Sequence, residues 1–274
     1  MTTQESQARA FFKNLNNTNQ KLYEYIFRFF GYGNLDGKYW FVGIEESGGK
    51  STEEVNERVE LWHTRGKNIT EDLNEYHKEL KCDTSAFENY LGANAGSIQT
   101  TWEQLIRLIL SYQNNKSIER PDILNYQKTE LGRIDKDTCL LELLPLPDSR
   151  NSGWIYNKYN YDECLNDKNL YVENIIQYRI QKIKELIKCK KPKFVVFYIM
   201  SYFNSSYGKY ICSVFESGFK PKYISSSDSP IYIGTLNNTT LFVSYHPTAH
   251  NNKKKIFNNS KNDYFVEIGK ILQG

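Results

Sequence analysis

Two residues at opposite ends of the 274-residue chain sit where short apolar runs stop: Glu45 in "YWFVGIEESGGKS" (39–51) and His246 in "SYHPTAH" (244–250). A carboxylate and an imidazole at the ends of two strands suit the cleavage of a glycosidic bond. The negative group lies beneath an oxocarbenium-like sugar, and the imidazole donates to an oxygen of the departing base. Each has a plainer reading. Glu45 could be a carboxylate stabilised by the N-terminus of the helix that follows, and His246 a loop histidine held beside Pro247.

The glycines after Glu45 look at first like a phosphate loop. That motif needs G-x-x-x-x-G-K-[ST], and counting back from Gly49-Lys50-Ser51 puts Ile44 where the first glycine belongs. Glu45 and Glu46 would also aim two negative charges into the phosphate concavity, so nucleotide hydrolysis is disfavoured. The turn suits a carboxylate presented at a strand end, with glycines allowing another backbone to come close.

Elements must position these residues. Residues 4–30 carry apolar side chains at helical spacing and read as one or two helices, broken at Gly31 and Gly33. "KYWFVGI", "DTCLLELLPLP" and "KFVVFYIM" are continuous apolar runs of the kind that form strands buried on both faces. Ser51-Thr52-Glu53-Glu54 starts a helix running to about Arg65, and a second helix carries Trp102, Leu105, Ile106 and Ile109 on one face. A long helix spans about 169–189 and another is expected near 206–216. "IYIGTLNNTTLFV" forms two strands about an Asn-Asn turn, and "YFVEIGKIL" is a closing helix. Strands alternating with helices imply α/β architecture with a mostly parallel central sheet, whose ligands lie beyond the carboxyl ends of the strands.

The net charge of +3 hides an asymmetry. Residues 1–80 hold 10 Lys/Arg against 13 Asp/Glu, and residues 178–274 hold 15 against 5, a basic half suited to a polyanion. The five cysteines form no C-x-x-C pair, which argues against a disulfide scaffold or a cysteine-ligated metal. The i,i+4 spacing of His246 and His250 serves zinc only on a helix, and Pro247 opposes one. No metal or organic cofactor is expected. A leader and a membrane span are also absent from the pattern, so a soluble, cytoplasmic protein is expected.

"VGIEESGG" and "HPTA" resemble the two signature motifs of the uracil-DNA glycosylase superfamily: a strand followed by Gly-x-(Asp/Asn/Ala)-Pro, and a late strand followed by His-Pro-Ser. Their order, strand context and separation of about 200 residues also agree. The resemblance implies a three-layer α/β/α sandwich, uracil-DNA glycosylase-like, and the length and apolar content suit a single domain over 1–274 with 1–36 as a helical extension. It implies a monomer acting on DNA. Glu45 would position water or steady the sugar cation, His246 would hold the base oxygen, and Gly43, Ile44, Glu46 and Glu142 would line the base site. Ser47, Gly48, Thr248, His250, Asn251, Lys253, Lys254 and Lys255 would meet DNA. Glu46 departs from the family's proline, Thr248 from its serine, and Glu142 falls roughly where several branches read uracil with asparagine.

An ionised Glu142 only accepts hydrogen bonds and so favours the amino group of cytosine or a modified cytosine, although a buried or capping carboxylate is an equal reading. Lys253–Lys255 could hold phosphates or be a solvated loop. Tyr90, Trp102, Trp154 and Tyr156 are the aromatic candidates for stacking on a flipped base. The expectation is a monofunctional glycosylase that releases a pyrimidine: uracil in repair, or a bulky modified cytosine of phage DNA. Its rivals are a DNA-binding protein without catalysis and a hydrolase of free nucleosides.

Overall fold

The structure, a computed structural model, describes residues 2–82, 84–113, 118–148, 153–157, 162–199, 211, 215, 218–247 and 261–273. Three N-terminal helices, α1 (Thr3–Phe11), α2 (Lys13–Thr18) and α3 (Gln20–Arg28), lead into strand β1 (Gly31–Gly33) and then β2 (Tyr39–Glu45). Helix α4 (Thr52–Thr64) follows, with the Ser51 hydroxyl accepting the Glu54 amide at 3.3 Å as an N-cap does. Strand β3 (Thr70–Glu71) precedes four helices, α5 (Leu73–Glu79), α6 (Thr84–Tyr90), α7 (Thr100–Tyr112) and α8 (Arg120–Thr129). Next come β4 (Thr138–Leu144), α9 (Lys168–Lys190) and β5 (Phe194–Phe197). The described chain ends with β6 (Lys220–Ile224), β7 (Ser227–Leu236), β8 (Thr239–Val243) and α10 (Lys261–Gln273). Among the described residues, no helix is long and apolar enough to cross a membrane.

The eight strands form one sheet in the order β3-β1-β4-β2-β5-β8-β7-β6. Its centre, β4-β2-β5-β8, is parallel throughout, and β1 also pairs with β3 in parallel. The flanks differ. β1 runs antiparallel to β4, and β8, β7 and β6 are successively antiparallel. The sheet is therefore mixed, which corrects the mostly parallel expectation. One cause lies at Asn237-Asn238: Asn237, at φ 56°, makes a two-residue turn, and a turn that short can join only antiparallel neighbours.

A second cause lies at Gly31 and Gly33, which read as breaks but form β1. A Cβ at Gly31 would stand 2.1 Å from the Leu140 carbonyl oxygen, and one at Gly33 2.3 Å from that of Thr138. The residues that interrupt the helical pattern are thus what lets this backbone lie against β4. The expected helix near 206–216 falls outside the described residues, except for Ile211 and Phe215, which are helical.

The core sits on the central strands. Trp40, Phe41, Val42, Leu141, Leu143, Val195, Val196, Leu241 and Val243 are all essentially inaccessible to water. That is the burial on both faces that continuous apolar runs imply.

Candidate active site

In the parallel centre, the strand first in the chain is β2. The next, β4, lies on one side of it, while β5 and β8 lie on the other. The order reverses between β2 and β5, and a crevice at the carboxyl ends of such a pair is where an open α/β sheet binds ligands. Gly43 is in register with Glu142, and Phe41 with Val196, which in turn faces Phe242. Side chains alternate along a strand, so one face carries Gly43, Glu45 and Glu142, and by continuation Tyr198 and His246.

Contacts agree with that alternation. Tyr198 follows the last residue of β5, and its amide still donates to the Val42 carbonyl at 3.1 Å. A Cβ at Gly43 would lie 2.4 Å from the Tyr198 hydroxyl and 2.5 Å from Glu142 Oε2. The Tyr198 and His246 rings have centroids 5.5 Å apart. Glu142 of β4 and Tyr198, just past β5, converge over Gly43, a position that has no side chain, and the His246 ring lies against Tyr198. Gly43→Ala is accordingly expected to cost about 1–3 kcal/mol by overpacking, read from urea unfolding. Unchanged stability would show that the convergence is not there.

Burial is the chief influence on Glu142, and it pushes the carboxyl well above the usual carboxylate range. The charges of Glu46 and Glu45 push the same way, while Arg179 and Tyr198 oppose them. Tyr198 is raised by its own burial and by Glu142. These influences shift Glu142 toward its protonated form, in which a carboxyl donates as well as accepts.

Glu45 ends β2 and is bound by a lysine that the sequence did not single out. Lys168 Nζ, on the first residue of α9, donates to Glu45 Oε1 at 2.8 Å and to Asp148 Oδ2 at 2.6 Å. Its ammonium also lies 5.6 Å from the centre of the Trp154 ring. Asp148 stands just past the prolines that end β4, and its amide donates to the Glu46 carbonyl at 3.1 Å, tying the two strand-end loops together.

The glycine turn has its own anion. Glu54 Oε1 accepts from the Gly49 amide at 3.0 Å and Oε2 from the Lys50 amide at 2.9 Å. Gly48 and Gly49 have φ of 137° and 64°, and a Cβ at Gly48 would lie 2.7 Å from Glu54 Oε1. The loop shaped like a phosphate cradle is filled by a carboxylate of the helix it precedes. Of the two turn residues expected to meet DNA, Gly48 is buried and Ser47 is exposed.

Glu46, expected to line the base site, is held by three side chains. Its Oε1 accepts from Arg58 Nη1 at 3.0 Å and lies 3.1 Å from His77 Nε2, and its Oε2 accepts from the Tyr32 hydroxyl at 2.8 Å. Burial pushes this carboxyl up, but Arg58, His77 and Tyr32 outweigh it and bring it down to about 2. Ile44 is a core residue. Trp102, on α7, sets its ring edge-on to Tyr90 at 6.2 Å. Tyr156 is wholly buried, and Trp154 packs against Tyr156 and Tyr171. Thr248, His250, Asn251, Lys253, Lys254 and Lys255 lie outside the described residues.

Sequence reasoning passed over Tyr198, Asp148 and Lys168. Tyr198 was hidden inside "KFVVFYIM", which read as one strand. Asp148 had a signal, the strand-ending prolines just before it, whereas Lys168 had none. Among the described residues, no group of three or more His, Cys, Asp or Glu side chains could hold a metal ion. Comparisons with protein-family models, curated proteins and solved structures find no match to this chain.

Proposed function

We propose that the chain is a monofunctional DNA glycosylase of the uracil-DNA glycosylase type, which everts a pyrimidine nucleotide and hydrolyses its N-glycosidic bond. The supporting observation is the convergence of Glu142 and Tyr198 over Gly43, with the His246 ring against Tyr198 and Glu45 on the same sheet face, at the strand-order reversal. The finer reading of the fold, a three-layer α/β/α sandwich of a single domain, belongs to the same proposal, as does action as a monomer on DNA in the cytoplasm.

In this reading the C1′–N bond breaks with its electron pair moving onto the base. Glu45 faces the sugar cation and His246 donates to the base oxygen where negative charge gathers. Water adds to C1′ and gives its proton to Glu45, and the released base takes up a proton from solvent. Glu142 and the Tyr198 ring meet the everted base, and neutral Glu142 donates and accepts along its edge. Uracil needs a donor toward O4 and an acceptor from N3–H, and cytosine needs the reverse, so one neutral carboxylic acid serves both. Uracil and a bulky modified cytosine of phage DNA are therefore both substrates to test.

The protonation of Glu142 has a checkable sign. A carboxyl raised by folding contributes its full stability below the unfolded value of about 4.5 and loses it as pH climbs toward the folded value. Glu142→Gln mimics the neutral acid. It is expected to match wild-type stability below pH 4.5 and to exceed it increasingly as pH rises, in unfolding measured across pH. A stability difference that does not change with pH would contradict a neutral Glu142.

The test of function is incubation with DNAs carrying uracil, hydroxymethylcytosine or glucosylated hydroxymethylcytosine, followed by alkaline cleavage at any abasic site. Alkali-labile sites are expected on at least one of them. Silence across the panel, with DNA still bound, would favour a nucleic-acid-binding protein without catalysis.

A further inference from the structure

Lys168 takes no part in the reaction as drawn above, yet it joins three separate pieces of the site. Glu45 comes from the end of β2, Asp148 from the loop after β4, and Lys168 from the start of α9. The lysine's own backbone is fixed. Asp167 caps the helix by accepting the Leu170 amide at 3.0 Å, and the Trp154 ring that flanks the ammonium is held by its indole N–H donating to the Leu165 carbonyl at 2.6 Å.

We propose that Lys168 is the positioning residue of the site, holding Glu45 and Asp148 side by side as an ionised pair with Glu45 presented to the strand-end crevice. This rests on the glycosylase reading. Two carboxylates and one ammonium sum to a charge of −1, the sign that a developing sugar cation requires. Without the ammonium, Glu45 and Asp148 would face each other as like charges, each disfavouring the ionised form of the other. The side chains of Glu45, Asp148 and Lys168 are 20%, 12% and 30% exposed, so water screens the cluster only in part. Burial alone would lower the lysine's pKa, but Glu45 and Asp148 outweigh it and raise it. The ammonium is occupied by two carboxylates, an arrangement that suits positioning and not nucleophilic attack.

The test compares Lys168→Met and Lys168→Arg with the wild type. Lys168→Met is expected to lower kcat by about 100-fold, a loss on the scale of one electrostatic contact to the transition state. DNA affinity should stay close to wild type, and the acid limb of the pH–rate profile should move to higher pH. Lys168→Arg, whose guanidinium can still bridge two carboxylates, is expected to recover much of the loss. A second readout needs no turnover: the Glu45 carboxyl, followed by carbon NMR across pH, should titrate at higher pH in Lys168→Met. Should that variant fail to fold, Asp148→Asn takes its place; it removes the second carboxylate and should shift the Glu45 titration downward. Wild-type kcat together with an unmoved Glu45 titration would overturn the proposal while leaving the glycosylase reading intact. A wild type that releases no base from any DNA would end the glycosylase reading, and the NMR titration would still decide whether Lys168 controls Glu45.

Discussion

Glu45→Gln is expected to slow base release by a factor on the order of 10²–10³ while leaving DNA affinity nearly unchanged. The amide is close in shape to the carboxylate, and its carbonyl oxygen can still accept from Lys168, which reaches Glu45 Oε1 at 2.8 Å in the wild type. Position is kept and charge is lost. What disappears is the attraction between a carboxylate and a sugar cation, which grows as the C1′–N bond stretches and so acts on turnover more than on binding. Single-turnover release and fluorescence anisotropy with the same DNA separate the two quantities. A Glu45→Gln enzyme as fast as wild type would remove Glu45 from the chemistry. A wild type without turnover would make the variant uninformative on rate and return the binding-protein reading to the front.

Arg179→Met is expected to cause the largest loss of stability, roughly 3–5 kcal/mol, because it leaves several buried acceptors unsatisfied. Arg179 is wholly buried on α9. It donates to the carbonyls of Phe29 at 2.7 Å, Glu142 at 2.8 Å, Leu143 at 3.1 Å and Ile26 at 3.3 Å, and its guanidinium lies 3.6 Å from the centre of the Phe30 ring. Ile26 and Phe29 stand at the end of α3, where carbonyls run out of helical partners. One side chain thus binds α3 to β4 and fixes the backbone of Glu142. Burial brings its pKa down to about 10, which still leaves it charged at neutral pH. Urea unfolding measures the loss, and a cost below about 1 kcal/mol would show that water or rearrangement replaces these bonds.

The strands that carry the site were legible because burial on both faces leaves an unbroken apolar run, as in "YWFVGI" and "CLLELL". The cap at Ser51 was legible because it is local. What escaped the sequence depends on contacts between distant segments. Gly31 and Gly33 read as punctuation, since only β4 lying against them reveals why they are glycine. Strand β6, "KPKYI", is largely exposed and has no apolar pattern to find. Glu45 and Glu46 are adjacent and of one type, yet they part company: one meets Lys168 and the other Arg58, His77 and Tyr32, three residues scattered over 45 positions. The upward pull on the Glu142 carboxyl has no local signal, because it comes from burial and two carboxylates of another strand end.

The most direct measurement is a crystal structure of the Glu45→Gln protein bound to DNA that carries a pyrimidine the wild type releases. The expected result is an everted nucleotide, its base edge hydrogen-bonded to the Glu142 carboxyl, a carbonyl oxygen of the base within about 3 Å of His246, and its sugar beside residue 45. A base still stacked in the duplex, or one bound on the opposite face of the sheet from Gly43, would contradict the account.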